Sequence, residues 1–87
     1  MAQPGAVEQM IIDFIRNQIA ASPDLEIDLD DNLFTSGQVD SLGIMRLITH
    51  LETTLELEIP LIERVPENFR TVRVMAAYLD DRLATRS

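Results

Sequence analysis

A serine hydroxyl, a single imidazole and a crowd of carboxylates are the chemically capable groups of this chain. Ser41 stands in Asp40-Ser41-Leu42, where the run Phe34-Thr35-Ser36-Gly37-Gln38-Val39 gives way to a strongly helical stretch. A helix start leaves backbone N–H groups without partners and carries the positive end of the macrodipole, which favours a phosphate attached there. An Asp-Ser pair is also an ordinary helix cap, and three residues alone do not separate the two roles. Nucleophilic catalysis by Ser41 needs a base, and His50 is the only histidine. On a continuous helix His50 falls about 180° around and about 13 Å along from Ser41, too far for a hydrogen bond. A small hydrolase is disfavoured on that geometry, and His50 is expected to be a solvated surface residue or a partner contact.

The chain has no cysteine, and all seven of its basic residues are arginines. Thiol nucleophiles, cysteine metal ligands and lysine Schiff bases are absent, so any thiol chemistry has to be imported. Asp24, Glu26, Asp28, Asp30 and Asp31 invite a calcium reading, and Asp28-Leu29-Asp30-Asp31-Asn32 begins like an EF-hand loop. Such a loop needs glycine at its sixth position and glutamate at its twelfth, where Leu33 and Val39 stand. A solvated acidic loop fits better, and no metal site is expected. With only Gly5, Gly37 and Gly43 present, neither a P-loop nor a dinucleotide fingerprint can be written. Gly37 suits a positive φ in the turn before the serine, or close approach of a partner to the backbone.

The elements that must position Ser41 follow from spacing. Eighty-seven residues, 46% of them hydrophobic, make one domain that buries about 60 to 65% of its unfolded surface, leaving little room for an enclosed cavity. Val7, Met10, Ile11, Phe14, Ile15 and Ile19 recur at three and four, predicting a helix over Ala6–Ala20 that Ser22-Pro23 stops. A long acidic loop follows, pinned to the core by Leu25, Ile27 and Leu29. The second helix begins near Asp40 or Ser41 and runs through Leu55, with Pro60 preventing continuation. One or two helical turns fit between Leu61 and Phe69. Thr71 can cap a last helix whose Val72, Met75, Ala76, Leu79 and Leu83 share a face, with Arg82 and Arg86 complementing its C-terminal dipole. The fold class is all-α, a four-helix bundle with a long first loop and a short third helix, over a single domain 1–87 with flexible ends at 1–5 and 85–87.

At 100° per residue, Ile44, Leu47, Ile48, Leu51 and Leu55 form the inward stripe of the second helix, with Ser41 at its edge. Leu42, Arg46, Thr49 and Thr53 fall on the opposite side, with Met45 beside them. Exposed leucine and methionine next to Ser41 suit docking, and equally the scattered apolar residues of any surface. Fifteen acidic against seven basic residues give a net charge of −8, which sets nucleic acid and anionic membranes aside and favours basic protein partners. No apolar run approaches the roughly 20 residues of a membrane span, and the N-terminus lacks the layout of a secretion signal, so a cytoplasmic monomer is expected.

Leu33-Phe34-Thr35-Ser36-Gly37-Gln38-Val39-Asp40-Ser41-Leu42-Gly43, followed by an amphipathic helix and by Glu58-Ile59-Pro60, closely resembles the attachment region of the acyl and peptidyl carrier protein family. Thr71-Val72 and Tyr78-Leu79 look like that family's last helix, so the resemblance covers nearly the whole chain. It implies the fold of an acyl-carrier bundle, and it implies that Ser41 accepts 4′-phosphopantetheine through a phosphodiester. The arm ends in a thiol that holds an acyl or aminoacyl group as a thioester, which would supply the missing sulfur. The resemblance makes Asp40 an aid to the phosphopantetheinyl transferase and Leu42 a residue read by partners, with Met45, Arg46 and Thr49 in the adjoining recognition surface. Partners implied are that transferase, an acyl- or aminoacyl-loading enzyme and downstream acyl-processing enzymes; the protein itself is expected not to be an enzyme.

Carriers of fatty-acid synthesis show acids along this helix, whereas Gly43 and Arg46 stand here, with Glu52 and Glu56 retaining some negative character. A cation there opposes a strongly basic partner site. Asp40-Ser41-Leu42-Gly43 and Pro66-Glu67-Asn68-Phe69 look more like carriers for amino acids or for specialised peptide and polyketide pathways. The competing class is an unmodified helical adaptor that binds a partner through a Leu42 and Met45 patch.

Overall fold

The computed structural model describes residues 5–20, 24–35, 37 and 39–85. The expected flexibility of residues 1–4 and 86–87, the dipole role of Arg86, and Ser36 and Gln38 of the turn lie outside the described residues. Gly5 and Thr85, expected to be flexible, are the N-cap of the first helix and the end of the last. Helices account for all regular structure among the described residues: α1 (Ala6–Phe14), α2 (Ser41–Leu55), α3 (Pro66–Phe69) and α4 (Val72–Thr85).

The first helix continues as a π turn over Ile15–Ile19, in which the Ala20 N–H donates to Ile15 O at 2.8 Å. Its apolar spacing of four reads the same in α and π geometry, so periodicity predicted one helix to Ala20 and left the widened turn invisible. Ile11, Ile12 and Ile15 enter a core shared with Leu47, Ile48 and Leu51 of α2 and Val72, Met75, Ala76 and Leu79 of α4. Ile44 and Leu55 pack partly buried against it, so the stripe lies as the spacing placed it. Thr71 caps α4, its Oγ1 accepting the Val74 N–H at 3.0 Å.

The long first loop is fastened at both ends and in the middle. Ile27 is buried, with Leu25 and Leu29 partly so. Leu29 O accepts the Arg73 N–H at 3.0 Å, and Arg70 O accepts the Leu33 N–H at 2.8 Å, tying the loop to the α3–α4 junction. Arg73 also grips Asp30 with Nε to Oδ1 at 2.7 Å and Nη2 to Oδ2 at 3.2 Å. That bond holds the Asp30 carboxyl below its ordinary range. The carboxylates of Asp28 and Asp31 accept loop N–H groups, and among the described residues no three acids or histidines converge to hold a metal.

Between α2 and α3 the chain makes a 3₁₀ turn over Leu61–Glu63, and Pro66 opens the one-turn α3. This region is braced by side chains from two helices. Glu52 Oε2 accepts the Ile59 N–H at 2.9 Å and lies 3.3 Å from Arg64 Nη2, while Arg64 Nε donates to Ile59 O at 2.9 Å. From α4, the Tyr78 hydroxyl donates to Glu63, and Arg82 Nη2 donates to Glu58 O at 3.2 Å. Arg82 thus reaches toward the α2–α3 connection, away from the dipole of its own helix end. Burial first, then the bond to Glu63, pushes the Tyr78 phenol up to about 12.

Candidate functional site

Three local devices set the position of Ser41. Gly37 adopts φ +79, supplying the left-handed turn expected of it, and its N–H donates to Phe34 O at 3.3 Å. Val39 is buried and its N–H donates to Leu33 O at 3.2 Å, so the turn ends on a hydrophobic plug one residue before the cap. Asp40 is the N-cap of α2, its Oδ1 accepting the Gly43 N–H at 2.7 Å. Ser41 is therefore the first helical residue and is exposed.

Gly43 is the residue that spacing and composition left unexplained. It is buried, and a Cβ built there would lie 3.1 Å from Asp40 Oδ1, 3.2 Å from Ile19 Cγ2 and 3.4 Å from Val39 Cγ1. The π turn delivers Ile19 to this spot, and the missing side chain lets the end of the first helix lie against the first turn of α2 without crowding. A lone glycine inside a helical pattern was the available signal, since such a residue usually has a packing reason.

The exposed face of α2 comes out as its angular positions required. Leu42 is 72% and Met45 43% exposed, and Arg46, Thr49 and Thr53 are exposed with them. Thr49 Oγ1 donates to Met45 O at 3.0 Å, so this hydroxyl is turned back on the backbone. Arg46 makes no ion pair among the described residues. Glu52, expected to lend negative charge here, instead turns to the loop, with its side chain 24% exposed and paired to Arg64. Leu42 and Met45 thus share the exposed side of α2 with Arg46, Thr49 and Thr53, and Glu56 stands exposed at the helix end.

His50 lies neither near Ser41 nor free in solvent. Its ring stacks on Phe14 with centroids 4.4 Å apart and an interplanar angle of 23°, which corrects the solvated reading. With Phe14, Met45, Arg46, Thr49 and Thr53 it lines an open groove of about 490 Å³ between the first helix and α2. A second hollow of about 370 Å³ lies at the helix start, lined by Ile19, Ala20, Gly37, Asp40, Leu42, Gly43 and Arg46. Arg46 borders both. Since α2 runs unbroken from Ser41 to Leu55, the imidazole stays about 13 Å along the axis from the serine.

A helical bundle holds an exposed serine at the start of its second helix, beside the exposed Leu42 and Met45. Residues 11–79 match the family model for the phosphopantetheine attachment site, and the chain belongs to that family. It is 34% identical to the acyl carrier protein of Amoebophilus asiaticus (strain 5a2) over 92% of this chain and 96% of that one. Identity with the D-alanyl carrier protein of Streptococcus uberis (strain ATCC BAA-854 / 0140J) is 39%, over 76% of this chain and 81% of that one. The D-alanyl carrier protein of Streptococcus pyogenes serotype M5 (strain Manfredo) is also 39% identical, over 51% and 56%. The protein is accordingly a phosphopantetheine carrier, working through a covalently held 4′-phosphopantetheine with transferases and acyl-processing enzymes. No helix among the described residues is long and apolar enough to cross a membrane.

Proposed function

We propose that Ser41 is the attachment residue and that the chain presents an acyl or aminoacyl group to separate enzymes, one carrier unit with no catalysis of its own. The observation that carries this reading is the exposed hydroxyl of Ser41, which makes no hydrogen bond among the described residues, at the head of a helix within the family match.

The residues present fit the arm. Asp40 takes up the Gly43 N–H, while the first N–H groups of α2 point out of the helix start, where they favour the phosphate of a phosphodiester. Gly37, Asp40 and Leu42 around Ser41 are exposed and leave the hydroxyl open to an approaching enzyme. The arm supplies the thiol this cysteine-free sequence lacks. Leu42, Met45 and Arg46 are then the surface by which enzymes read the carrier, and Asp40 combines the helix cap with a role toward the transferase. The cation Arg46 on the exposed side of α2 and the likeness to D-alanyl carriers favour an aminoacyl or specialised acyl cargo. A chain without cysteine suits work in the cytoplasm.

Intact mass after incubation with coenzyme A and a broad phosphopantetheinyl transferase tests the reading. The expected result is a single phosphopantetheine addition, abolished by Ser41→Ala; addition that survives the substitution removes Ser41 from the role. Ser41-dependent ester turnover by the unmodified protein would instead make it a hydrolase.

A further inference from the structure

Ser41, Met45, Thr49 and Thr53 stand four residues apart on α2, so Ser41 heads one ridge of that helix. Leu42, Arg46 and His50 make the neighbouring ridge. Phe14 of α1 backs this second ridge, its ring centroid 4.4 Å from that of His50. The open groove of about 490 Å³ lies along these residues, a volume within the roughly 300–1,000 Å³ of small-molecule sites. It begins one turn below the serine, with Met45 about 6 Å, Thr49 about 12 Å and Thr53 about 18 Å along the axis from Ser41.

The lining changes character with distance from the serine. Met45 and Arg46 come first, an apolar side chain and a guanidinium that makes no ion pair among the described residues. Thr49 follows, its hydroxyl donating to Met45 O and keeping lone pairs with which to accept. His50 and Thr53 come last, and neither side chain makes a hydrogen bond among the described residues. No carboxylate lines this groove, although the chain carries fifteen. The hollow at the helix start and the groove beside Phe34 each include one, Asp40 and Glu67.

We propose that the groove between α1 and α2 is the berth of the chain's own phosphopantetheine arm, which folds down along α2 when no enzyme holds it. The proposal rests on the carrier reading of Ser41. From its point of attachment the arm presents an anionic phosphodiester, a pair of methyls on a quaternary carbon, a hydroxyl and amides, and then the thiol. The groove offers complements in the same order: the Arg46 cation, the Met45 side chain, and the polar groups of Thr49, His50 and Thr53. Tethering selects this occupant. An arm fixed one turn above the groove is present at an effective concentration on the order of millimolar, whereas a second copy carrying −8 is repelled. A berthed arm covers Met45 and Arg46, so an enzyme that reads those residues lifts the arm as it docks, and the thiol is shielded between visits.

Heteronuclear NMR of the full chain before and after modification with coenzyme A and a broad transferase tests this on the wild-type protein. The expected result is that the Met45 methyl and the Thr49, His50 and Thr53 amides shift on modification, and that the arm's paired methyls show nuclear Overhauser contacts to the Met45 methyl. T49W, whose indole fills the groove, is expected to abolish those contacts and to speed reaction of the arm's thiol with an aromatic disulfide reagent about threefold, because the rate follows the undocked fraction. Shifts confined to Asp40, Ser41 and Leu42 overturn the proposal and leave Ser41 as the attachment residue, whereas a chain that takes no arm at Ser41 brings down both. A T49W chain that keeps the wild-type contacts and thiol rate overturns it as well, as do groove shifts that fade on dilution and so belong to the arm of a second copy. Should T49W lose its unfolding transition, M45E, which sets a carboxylate against the phosphodiester, decides by the same thiol rate.

Discussion

Asp40 Oδ1 accepts the Gly43 N–H at 2.7 Å, so the carboxylate before Ser41 is part of the helix that presents it. Stability and modification can be separated at this residue. Asn is as good a cap as Asp, so Asp40→Asn should unfold within a degree or two of wild type while its modification rate falls. Asp40→Ala loses the cap as well, about 1 kcal/mol, or about 4–8 °C in a domain this size. Thermal unfolding monitored by circular dichroism, paired with intact-mass time courses, checks both; equal modification of Asp40→Asn and wild type removes the charge from recognition.

At Gly43 two effects oppose. Alanine gains about 0.5–1 kcal/mol of helix propensity, but its Cβ meets Asp40 Oδ1 and Ile19 Cγ2 at 3.1 and 3.2 Å. The oxygen is held by the cap and the isoleucine by the π turn, so crowding wins and Gly43→Ala should lose about 1 kcal/mol net. A urea midpoint at or above wild type would show that Ile19 moves aside freely.

Glu52 has an isostere that divides its duties. Glu52→Gln keeps an acceptor for the buried Ile59 N–H and loses the charge opposite Arg64; Glu52→Ala leaves that N–H unpaired. The expected losses are under about 1 kcal/mol for the amide and about 2–3 kcal/mol for alanine. Chemical denaturation of the two variants settles the order.

The phenol of Tyr78 makes stability fall in alkali. Its folded value of about 12 lies above the ordinary 10 of an unfolded chain, so its contribution is complete below pH 10 and is lost as pH rises toward 12. Tyr78→Phe should cost about 1–2 kcal/mol at neutral pH and remove most of the decline between pH 10 and 12. A decline of equal slope in the variant assigns it to other groups.

Arg46 is the one cation on the exposed face of α2, bordering both hollows. Arg46→Glu is expected to lower kcat/KM about tenfold with the native loading enzyme and to improve handling by enzymes of fatty-acid synthesis. Unchanged rates with both take Arg46 out of recognition.

The sequence announces the helices of this fold because their apolar residues repeat at three and four, and it announces a helix start at Ser41 because Asp40 and Ser41 are good cap types. Leu42 and Met45 are exposed for the same angular reason that Leu47 and Leu51 are buried. What it withholds are relations between residues far apart. His50 meets Phe14 across two helices, Glu52 meets Arg64 across a loop, and Arg73 meets Asp30 between α4 and the first loop. The π turn is hidden for another reason, since a spacing of four does not distinguish a bond to the fourth residue from a bond to the fifth.

The α2–α3 segment divides its residues into a frame and an exposed tip, with Leu57 and Ile59 turned to the core and Leu61 and Ile62 to water. Glu52, Glu63, Arg64 and Tyr78 hold the frame, and replacing any of them disturbs folding. Leu61 and Ile62 touch mostly water, so stability scarcely registers their identity. Descendants of this chain are free to alter those two positions without refolding the domain, while the serine and its helix stay as they are.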